Sequence, residues 1–177
     1  AMPEVALIVV KADGTRAQPG EEGELRAQGP QVMHGYLDAS LDTDAFDADG
    51  FFRTGDLGLL DDQGRLYYRG RLKEMVKSGG INIAPVEVEE ALQRFPGVRS
   101  AYVIGVPHPT LDEALVALVI PQPGAAPSPE ALKSFCTGEM AAYKVPTRFH
   151  LTTESDLPLT TTGKVQKARL HTLLPPT

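Results

Sequence analysis

Two segments of the sequence place charged side chains beside glycine, where a sugar or phosphate could be held. Asp56 follows Gly55 at the end of an apolar run, so its carboxylate can face a ligand and accept two hydrogen bonds from a ribose diol. Further along, Arg71 offers a planar donor fork for phosphate or ribose oxygens, and Gly79-Gly80 lets a ligand pass close to the backbone.

A third segment carries Lys164 directly after a Thr- and Gly-rich loop, from which a lysine can reach an anionic centre. The segment is not a P-loop, because the G-x-x-x-x-G-K-[ST] pattern fails at Pro158 and Val165. Taken one at a time, the three segments are more typical of a turn aspartate, a solvated basic hairpin and an ordinary surface loop. Spacing alone leaves both interpretations open.

The elements that must position these residues differ on the two sides of the stretch 70–80. Residues 1–70 hold 6 Lys and Arg against 13 Asp and Glu, whereas residues 71–177 hold 11 against 10. The first part alternates short apolar runs with turn signals such as Asp13-Gly14, which predicts mostly β structure ending in a hairpin. The change in composition predicts a domain boundary at the stretch.

The second part is predicted to be α+β, a small sheet with helices packed on it. A helix is expected from Pro85, with acids in its first turns that suit the dipole and a one-sided apolar stripe. The acids are Glu87, Glu89 and Glu90, and the stripe is Val88, Ala91, Leu92 and Phe95. The other predicted elements are strands at 81–83, 98–106, 113–121 and 148–151 and helices at 130–142 and 166–174.

Composition and charge exclude several classes of protein. With 42% hydrophobic and 23% charged residues a folded chain is expected, and no apolar run reaches the ~18–20 residues of a membrane span. The net charge of −6 argues against a general nucleic-acid binder. The single cysteine, Cys136, excludes an internal disulfide and a multi-cysteine metal site, and it is predicted to be buried in a helix. No metal site is predicted, and the acidic start predicts a cytoplasmic protein rather than a secreted one.

Four motifs follow one another along nearly the whole chain. The first is Gly23-Glu-Leu25 with Gly29 and Gly35-Tyr36-Leu37. The others are Asp49-Gly-Phe-Phe-Arg-Thr-Gly-Asp-Leu57, Gly70-Arg-Leu-Lys-Glu-Met-Val-Lys-Ser-Gly-Gly-Ile-Asn-Ile-Ala-Pro-Val-Glu-Val-Glu89 and Pro158-Leu-Thr-Thr-Thr-Gly-Lys164. Together and in this order they resemble the adenylate-forming superfamily, which comprises acyl- and aryl-CoA synthetases, peptide-synthetase adenylation domains and luciferases.

The resemblance implies an enzyme that activates a carboxylic acid with ATP as an acyl-adenylate and then transfers the acyl group to a thiol. Asp56 matches the acid that binds the ribose hydroxyls, and Tyr68 matches a position that lines the nucleotide site in some members. Arg71 matches the arginine near the ribose and phosphate. Lys164 matches the lysine that bridges the substrate carboxylate and the α-phosphate, where a cation stabilises developing charge.

The resemblance also implies that the second part moves between two half-reactions. Lys73 matches the hinge residue about which the small domain rotates. One orientation brings Lys164 to the ATP site, and the other brings the Gly79-Gly80 loop to the incoming pantetheine. The implied domains are a terminal β subdomain of a large adenylating domain at 1–70, a hinge at 71–73 and a small mobile AMP-binding lid at 74–177.

The sequence lacks the family's Ser/Thr/Gly-rich phosphate loop and acyl pocket, and Ala1 precedes Met2, so a C-terminal fragment that is inactive alone is expected. The expected partners are ATP, CoA, a carboxylic acid and the missing large domain, in which a Mg²⁺ site is expected. The motifs favour an acyl-CoA synthetase, with a fatty acid as the favoured substrate. The alternatives are an adenylation enzyme that loads a carrier-protein pantetheine and a non-catalytic interaction module.

Overall fold

Four antiparallel strands form the sheet of the first part of the chain, each paired with its neighbour in sequence. They are β1 (Ala6–Val10), β2 (Gly23–Gln28), β3 (Phe52–Leu60) and β4 (Leu66–Arg71). The computed structural model describes residues 4–175. Ala1 and Met2, on which the expectation of a fragment partly rests, lie outside the described residues, as do residues 3, 176 and 177. The hairpin of β3 and β4 is the one that the Asp61–Gly64 turn predicts.

The acidic connection between β2 and β3 is tied to the sheet rather than free. It contains a 3₁₀ turn at Ala39–Leu41 and a four-residue helix, α1 (Asp42–Ala45). The Asp47 carboxylate accepts hydrogen bonds from the Arg26 guanidinium and from the Phe51 N–H, both at 2.9 Å. These bonds fix the start of β3, the strand that carries Asp56.

The second sheet is built around β8 (Asp112–Pro121), in which Ala114 to Ile120 are all buried. An apolar run that is buried from end to end is what a central strand requires. β8 pairs antiparallel with one strand along its whole length, antiparallel with a second at Asp112 and parallel with a third at residues 116–119. In that order, the three partners are β7 (Val98–His108), β5 (Val76–Ser78) and β9 (Arg148–Leu151). A further strand, β6 (Ile81–Ile83), pairs with β5.

Two helices share one core with this sheet. They are α2 (Pro85–Gln93) and α3 (Pro129–Glu139). Val88 and Leu92 of α2 pack in the core, as do Leu132 and Cys136 of α3, and all four are fully buried. The predicted apolar stripe and the predicted burial of the cysteine are therefore confirmed, and the protein is α+β.

The helices differ from the prediction at two places. α3 ends at Glu139 rather than near residue 142, because Met140 has extended backbone angles and Gly138 weakens the last turn. The last predicted helix is a 3₁₀ helix, Lys167–Leu173, which is anchored by the fully buried Leu170. Within residues 4–175, no helix is long and apolar enough to cross a membrane.

The contacts within the chain divide it into two compact units, Ala1–Lys73 and Glu74–Thr177. A 3₁₀ turn, Leu72–Glu74, spans the division. β4 extends through Arg71, so this residue, which the resemblance assigns to the hinge at 71–73, lies in a strand of the first unit. The reason is that Arg71 is the cross-strand partner of Asp56 on β3.

Candidate functional site

Asp56 lies in a bulged part of β3. The pairing of β2 with β3 shifts there, which leaves residues 54–56 opposite Leu25 alone, and Gly55 adopts a positive φ of 69°. The Thr54 hydroxyl donates to the Leu25 carbonyl at 2.7 Å and accepts the Asp56 N–H at 3.0 Å. The bulge therefore holds the backbone of Asp56 in one place.

Arg71 is the charged neighbour of Asp56. Its Nε lies 3.0 Å from Asp56 Oδ1, and the side chains are 47% and 27% exposed, respectively. This distance makes an ion pair but not a hydrogen bond, and Oδ1 is buried without a hydrogen-bond donor from residues 4–175. The rest of the Asp56 side chain is partly exposed, so its carboxylate can still accept a hydroxyl from a ligand.

Tyr68 lies on the same face of the sheet as this pair. In a regular strand Tyr68 and Arg71 would point to opposite faces, because side chains alternate. A second bulge shifts the register of β3 and β4, so that Arg71 pairs with Asp56 and Tyr68 pairs with Gly58. Since Asp56 and Gly58 are two residues apart on one strand, their partners share a face. The structure thus groups the three predicted nucleotide-binding residues within the first unit.

Lys73 is the last residue of the first unit and the middle residue of the 3₁₀ turn Leu72–Glu74. It is exposed, and its two neighbours in sequence belong to different units. A short connection of this kind is where a change in backbone angles has the largest effect. Its role as a hinge stays a prediction.

The Gly79-Gly80 turn closes the hairpin of β5 and β6. Both residues have positive φ, 57° and 79°, which is the pattern of a type I′ turn. The Gly79 N–H donates to the Leu111 carbonyl at 2.9 Å, and the Lys77 N–H donates to Glu113 Oε2 at 2.8 Å. The turn is exposed, but its backbone is therefore anchored at the start of β8.

Lys164 lies on a small exposed hairpin that is closed by a bridge between Leu159 and Val165. The Thr160 N–H donates to the Lys164 carbonyl at 2.8 Å, and the Lys164 N–H donates to the Thr160 hydroxyl at 3.0 Å. Since the Gly163 N–H also bonds to Thr160, these amides cannot wrap a phosphate in the manner of a P-loop. Within the described range 4–175, the Lys164 ammonium has no hydrogen-bonding or ionic partner.

A largely buried ion cluster around Lys167 was not predicted. The Lys167 ammonium donates to both carboxylate oxygens of Glu89, at 2.9 and 3.2 Å, and lies 3.1 Å from Glu74 Oε2. Glu89 also accepts the Val103 N–H at 2.8 Å. Burial lowers the pKa of Lys167, but the two carboxylates outweigh this effect and hold its pKa above the ordinary value.

The signal for this cluster in the sequence is weak. Glu89 was expected only to suit the helix dipole, yet it is 7% exposed because two donors satisfy its carboxylate. Lys167 lies 78 residues further along the chain. Only the position of Lys167, three residues after the motif that ends in Lys164, could have drawn attention to it.

Two further features carry no candidate chemistry. A surface depression in the second unit contains none of the predicted site residues, and it is lined by Pro121, His150, Leu151, Thr152, Thr153, Asp156 and Leu173. In the part of the chain that the structure describes, no group of three or more His, Cys, Asp or Glu could hold a metal ion.

The candidate site therefore consists of Asp56, Tyr68 and Arg71 in one unit and of Gly79-Gly80 and Lys164 in the other.

Known proteins resemble this chain over most of its length. Residues 87–164 match the family described as AMP-binding enzyme C-terminal domain. The chain is 43% identical over 163 residues to a sulfoacetate–CoA ligase of Cupriavidus necator, covering 92% of the chain and 32% of the relative. It is 39% identical over 165 residues to a long-chain-fatty-acid–CoA ligase of Bacillus subtilis, covering 93% and 29%.

A solved structure shows the same fold. The crystal structure of ATP-bound MatB from Rhodopseudomonas palustris matches with a TM-score of 0.89 and 35% identity, over 98% of this chain and 34% of that one. The chain spans about a third of the length of the curated relatives it matches.

Proposed function

This chain belongs to the adenylate-forming enzyme superfamily, and from that membership we propose that the protein carrying it is an AMP-forming acid–thiol ligase, an acyl-CoA synthetase. In the first half-reaction, a carboxylate oxygen of the acid attacks the α-phosphorus of ATP, and pyrophosphate leaves. In the second, a thiolate attacks the acyl carbonyl of the adenylate, and AMP leaves. The two named CoA ligases support this reaction class.

The observation that carries the proposal is the partly exposed carboxylate of Asp56, which a bulge in β3 places beside Arg71. The Asp56 side chain is 27% exposed, so its carboxylate can accept a ribose hydroxyl, and a hydrogen bond to a carboxylate is stronger than one between neutral groups. The Arg71 guanidinium beside it, 47% exposed, suits the oxygens of the ribose and of the adjoining phosphate. Tyr68 on the same face completes a nucleotide-binding surface.

Lys164 supplies the positive charge for adenylate formation. Its ammonium is unpaired among residues 4–175 and is carried by a hairpin whose amides are internally bonded, so the cation is exposed on a defined backbone. An ammonium held between the substrate carboxylate and the α-phosphate stabilises charge that develops on the phosphorus oxygens. Mg²⁺ would accompany ATP through its phosphates, bound outside the described residues.

The second half-reaction is assigned to the Gly79-Gly80 turn, where the absence of side chains leaves room for a pantetheine arm. A backbone change at Lys73 would let the second unit serve both half-reactions in turn. CoA is the proposed acceptor because the named relatives are CoA ligases, although a carrier protein presents the same pantetheine. A cytoplasmic location is proposed because ATP and CoA are both supplied there.

The acid is the least constrained part of the proposal. The named relatives act on acids as different as sulfoacetate and long-chain fatty acids. A fatty acid is proposed as the first substrate to test, because the Bacillus subtilis relative is named as a long-chain-fatty-acid–CoA ligase.

The test is an acid-dependent exchange of labelled pyrophosphate into ATP, measured with the natural-length protein and a panel of fatty acids, sulfonated acids and aromatic acids. The expected result is exchange with a subset of the acids, followed by release of AMP when CoA is added. Release with a pantetheinylated carrier protein but not with CoA would identify the other acceptor. A folded protein that supports no exchange with any acid would contradict the proposal and favour a non-catalytic interaction module.

A further inference from the structure

We infer that Lys167 is a positioning residue for adenylate formation: its ion pairs with Glu89 and Glu74 fix the Lys164 hairpin to helix α2 and to the first residue of the second unit. The inference rests on the proposed function, because it concerns the placement of Lys164. Lys167 itself touches no reacting atom in this account.

The contacts of Lys167 are close and largely shielded from water. The ammonium lies 2.9 and 3.2 Å from the Glu89 oxygens and 3.1 Å from Glu74 Oε2. The Lys167 side chain is 25% exposed, that of Glu74 29% and that of Glu89 only 9%. Because the Val103 N–H of β7 also bonds to Glu89, the cluster extends from the central sheet through α2 to Lys167.

The connection from Lys167 to Lys164 is short and stiff. Between them, the Gln166 N–H donates to the Pro158 carbonyl at 2.8 Å, and the Gln166 side-chain amide donates to the Leu159 carbonyl at 2.6 Å. Both arms of the hairpin are therefore joined at the residue next to Lys167. On the other side, Leu170 is fully buried and fixes the 3₁₀ helix that Lys167 begins.

The bond to Glu74 links this hairpin to the proposed hinge. Glu74 directly follows Lys73 and is the first residue of the second unit. Because Lys167 holds Glu74, a backbone change at the hinge is confined to the residues before Glu74. The Lys164 hairpin then moves together with the start of the second unit, and its ammonium keeps one position within that unit.

The Gly79-Gly80 turn is held by different groups. Its anchors are the Leu111 carbonyl and the Glu113 carboxylate, neither of which belongs to the Lys167 cluster. The loss of Lys167 should therefore affect the half-reaction that needs Lys164 and spare the one assigned to the turn. A lysine that served only overall stability would affect both half-reactions together.

The experiment compares Lys167→Gln with the wild type in the natural-length protein, below the temperature at which circular dichroism detects unfolding. Single-turnover adenylate formation is expected to slow by about 10- to 100-fold, as for a misplaced catalytic group. The KM for ATP and the rate of thioester formation from supplied acyl-adenylate are expected to stay within about twofold. Lys167→Arg, which keeps the charge, should recover most of the adenylation rate.

Two further variants make the result decisive. Arg94→Gln breaks the Arg94–Glu139 ion pair of the same unit and should leave both half-reactions unchanged. Glu74→Gln removes one arm of the cluster and should slow adenylate formation by a smaller factor, so the inference can be tested even if Lys167→Gln fails to fold. Equal slowing of both half-reactions, or no slowing in either cluster variant, would overturn the inference.

Lys164→Ala separates this inference from the proposed function. If Lys164→Ala abolishes adenylate formation but the cluster variants do not slow it, the positioning role alone is refuted. If Lys164→Ala leaves adenylate formation intact, the proposed site and the positioning role are both refuted.

Discussion

At the scale of single residues, the Asp56 carboxylate is the group on which the proposed nucleotide site depends most. Its Oδ1 is buried without a hydrogen-bond donor from the described residues, although the Arg71 Nε lies 3.0 Å away in an ion pair. A ribose offers two neighbouring hydroxyls, each of which can donate to the carboxylate.

Asp56→Asn in the natural-length protein should raise the KM for ATP by about 10- to 100-fold, because a hydrogen bond to a charged group contributes about 1.5–3 kcal/mol. The variant should also lose most of the preference for ATP over 2′,3′-dideoxy-ATP, since the deleted hydroxyls no longer have a charged acceptor. Steady-state kinetics with both nucleotides measures this, with Asp62→Asn in the exposed hairpin turn as the control. An undiminished preference for ATP in Asp56→Asn would show that the ribose is bound elsewhere.

Cys136 gives a prediction that does not depend on the enzymatic function. Burial raises the pKa of its thiol from 9.0 to about 11, so the folded state holds the thiol proton more tightly than the unfolded state does. The resulting stabilisation is fully present below pH 9 and is lost as the pH rises toward 11. At pH 10.5 the loss should be about 2 kcal/mol of the free energy of unfolding.

Urea unfolding at pH 8 and pH 10.5 measures this loss. In Cys136→Ala the thiol is absent, so the decrease in stability between the two pH values should be smaller than in the wild type. The same decrease in both proteins would mean that other groups account for it.

Some contacts of single residues could not be predicted from the sequence. The motifs identified Asp56 and Arg71, but their pairing depends on bulges in the sheet, which local packing sets and residue spacing does not. The burial of Glu89 likewise depends on Val103 and Lys167, which reach it only through the tertiary fold.

At the scale of elements, the hairpin of β5 and β6 is closed by the Gly79-Gly80 turn, in which both residues have positive φ. Gly80 and Gly124 form a matched pair for testing the turn. Both have a φ of 79°, and a Cβ at either would meet no atom within 4 Å. Alanine at either position should therefore cost about 1–2 kcal/mol through the same backbone strain.

Only Gly80→Ala should also slow thioester formation from supplied acyl-adenylate, by roughly tenfold, because a side chain there narrows the proposed path of the pantetheine. Asparagine tolerates positive φ better than alanine but is bulkier, so Gly80→Asn should remain slow. The rate of single-turnover thioester formation is measured in Gly80→Ala, Gly80→Asn and Gly124→Ala. It shows whether the side chain acts by narrowing the pantetheine path or by straining the backbone of the turn. Recovery of the rate in Gly80→Asn would attribute the effect to strain.

The 3₁₀ turn Leu72–Glu74 is the element on which the alternation depends. Lys73→Pro should block thioester formation while adenylate formation continues, because proline fixes φ near −65° and prevents the backbone change. Lys73→Ala removes the charge but keeps the freedom of φ, and it should retain both half-reactions. The two rates are measured separately by rapid quench. Normal thioester formation in Lys73→Pro would place the hinge elsewhere.

Elements with a strong local signal were predicted well. The stripe of α2 and the apolar run of β8 follow from periodicity and from burial on both faces. The end of α3 and the 3₁₀ form of Lys167–Leu173 were missed, because an extended Met140 and the anchoring of Leu170 are decided by tertiary contacts.

At the scale of the whole chain, the two units have separate sheets, and a single 3₁₀ turn spans the division between them. The change in charge balance indicated a boundary near residue 70, and contacts within the chain place the division between Lys73 and Glu74. Composition could indicate the region, but β-pairing through Arg71 determines where the first sheet ends. The proposed function assigns nucleotide binding to the first unit and both mobile groups, Lys164 and the Gly79-Gly80 turn, to the second.

The most direct test of this account is the effect of Lys164→Ala on the two half-reactions of the natural-length protein, with Lys133→Ala on the exposed face of α3 as the control. The account predicts that Lys164→Ala abolishes acyl-adenylate formation from acid and ATP, while thioester formation from supplied acyl-adenylate and CoA continues near the wild-type rate. Lys133→Ala should retain both. An equal loss of both half-reactions in Lys164→Ala, or the survival of adenylate formation, would contradict the account.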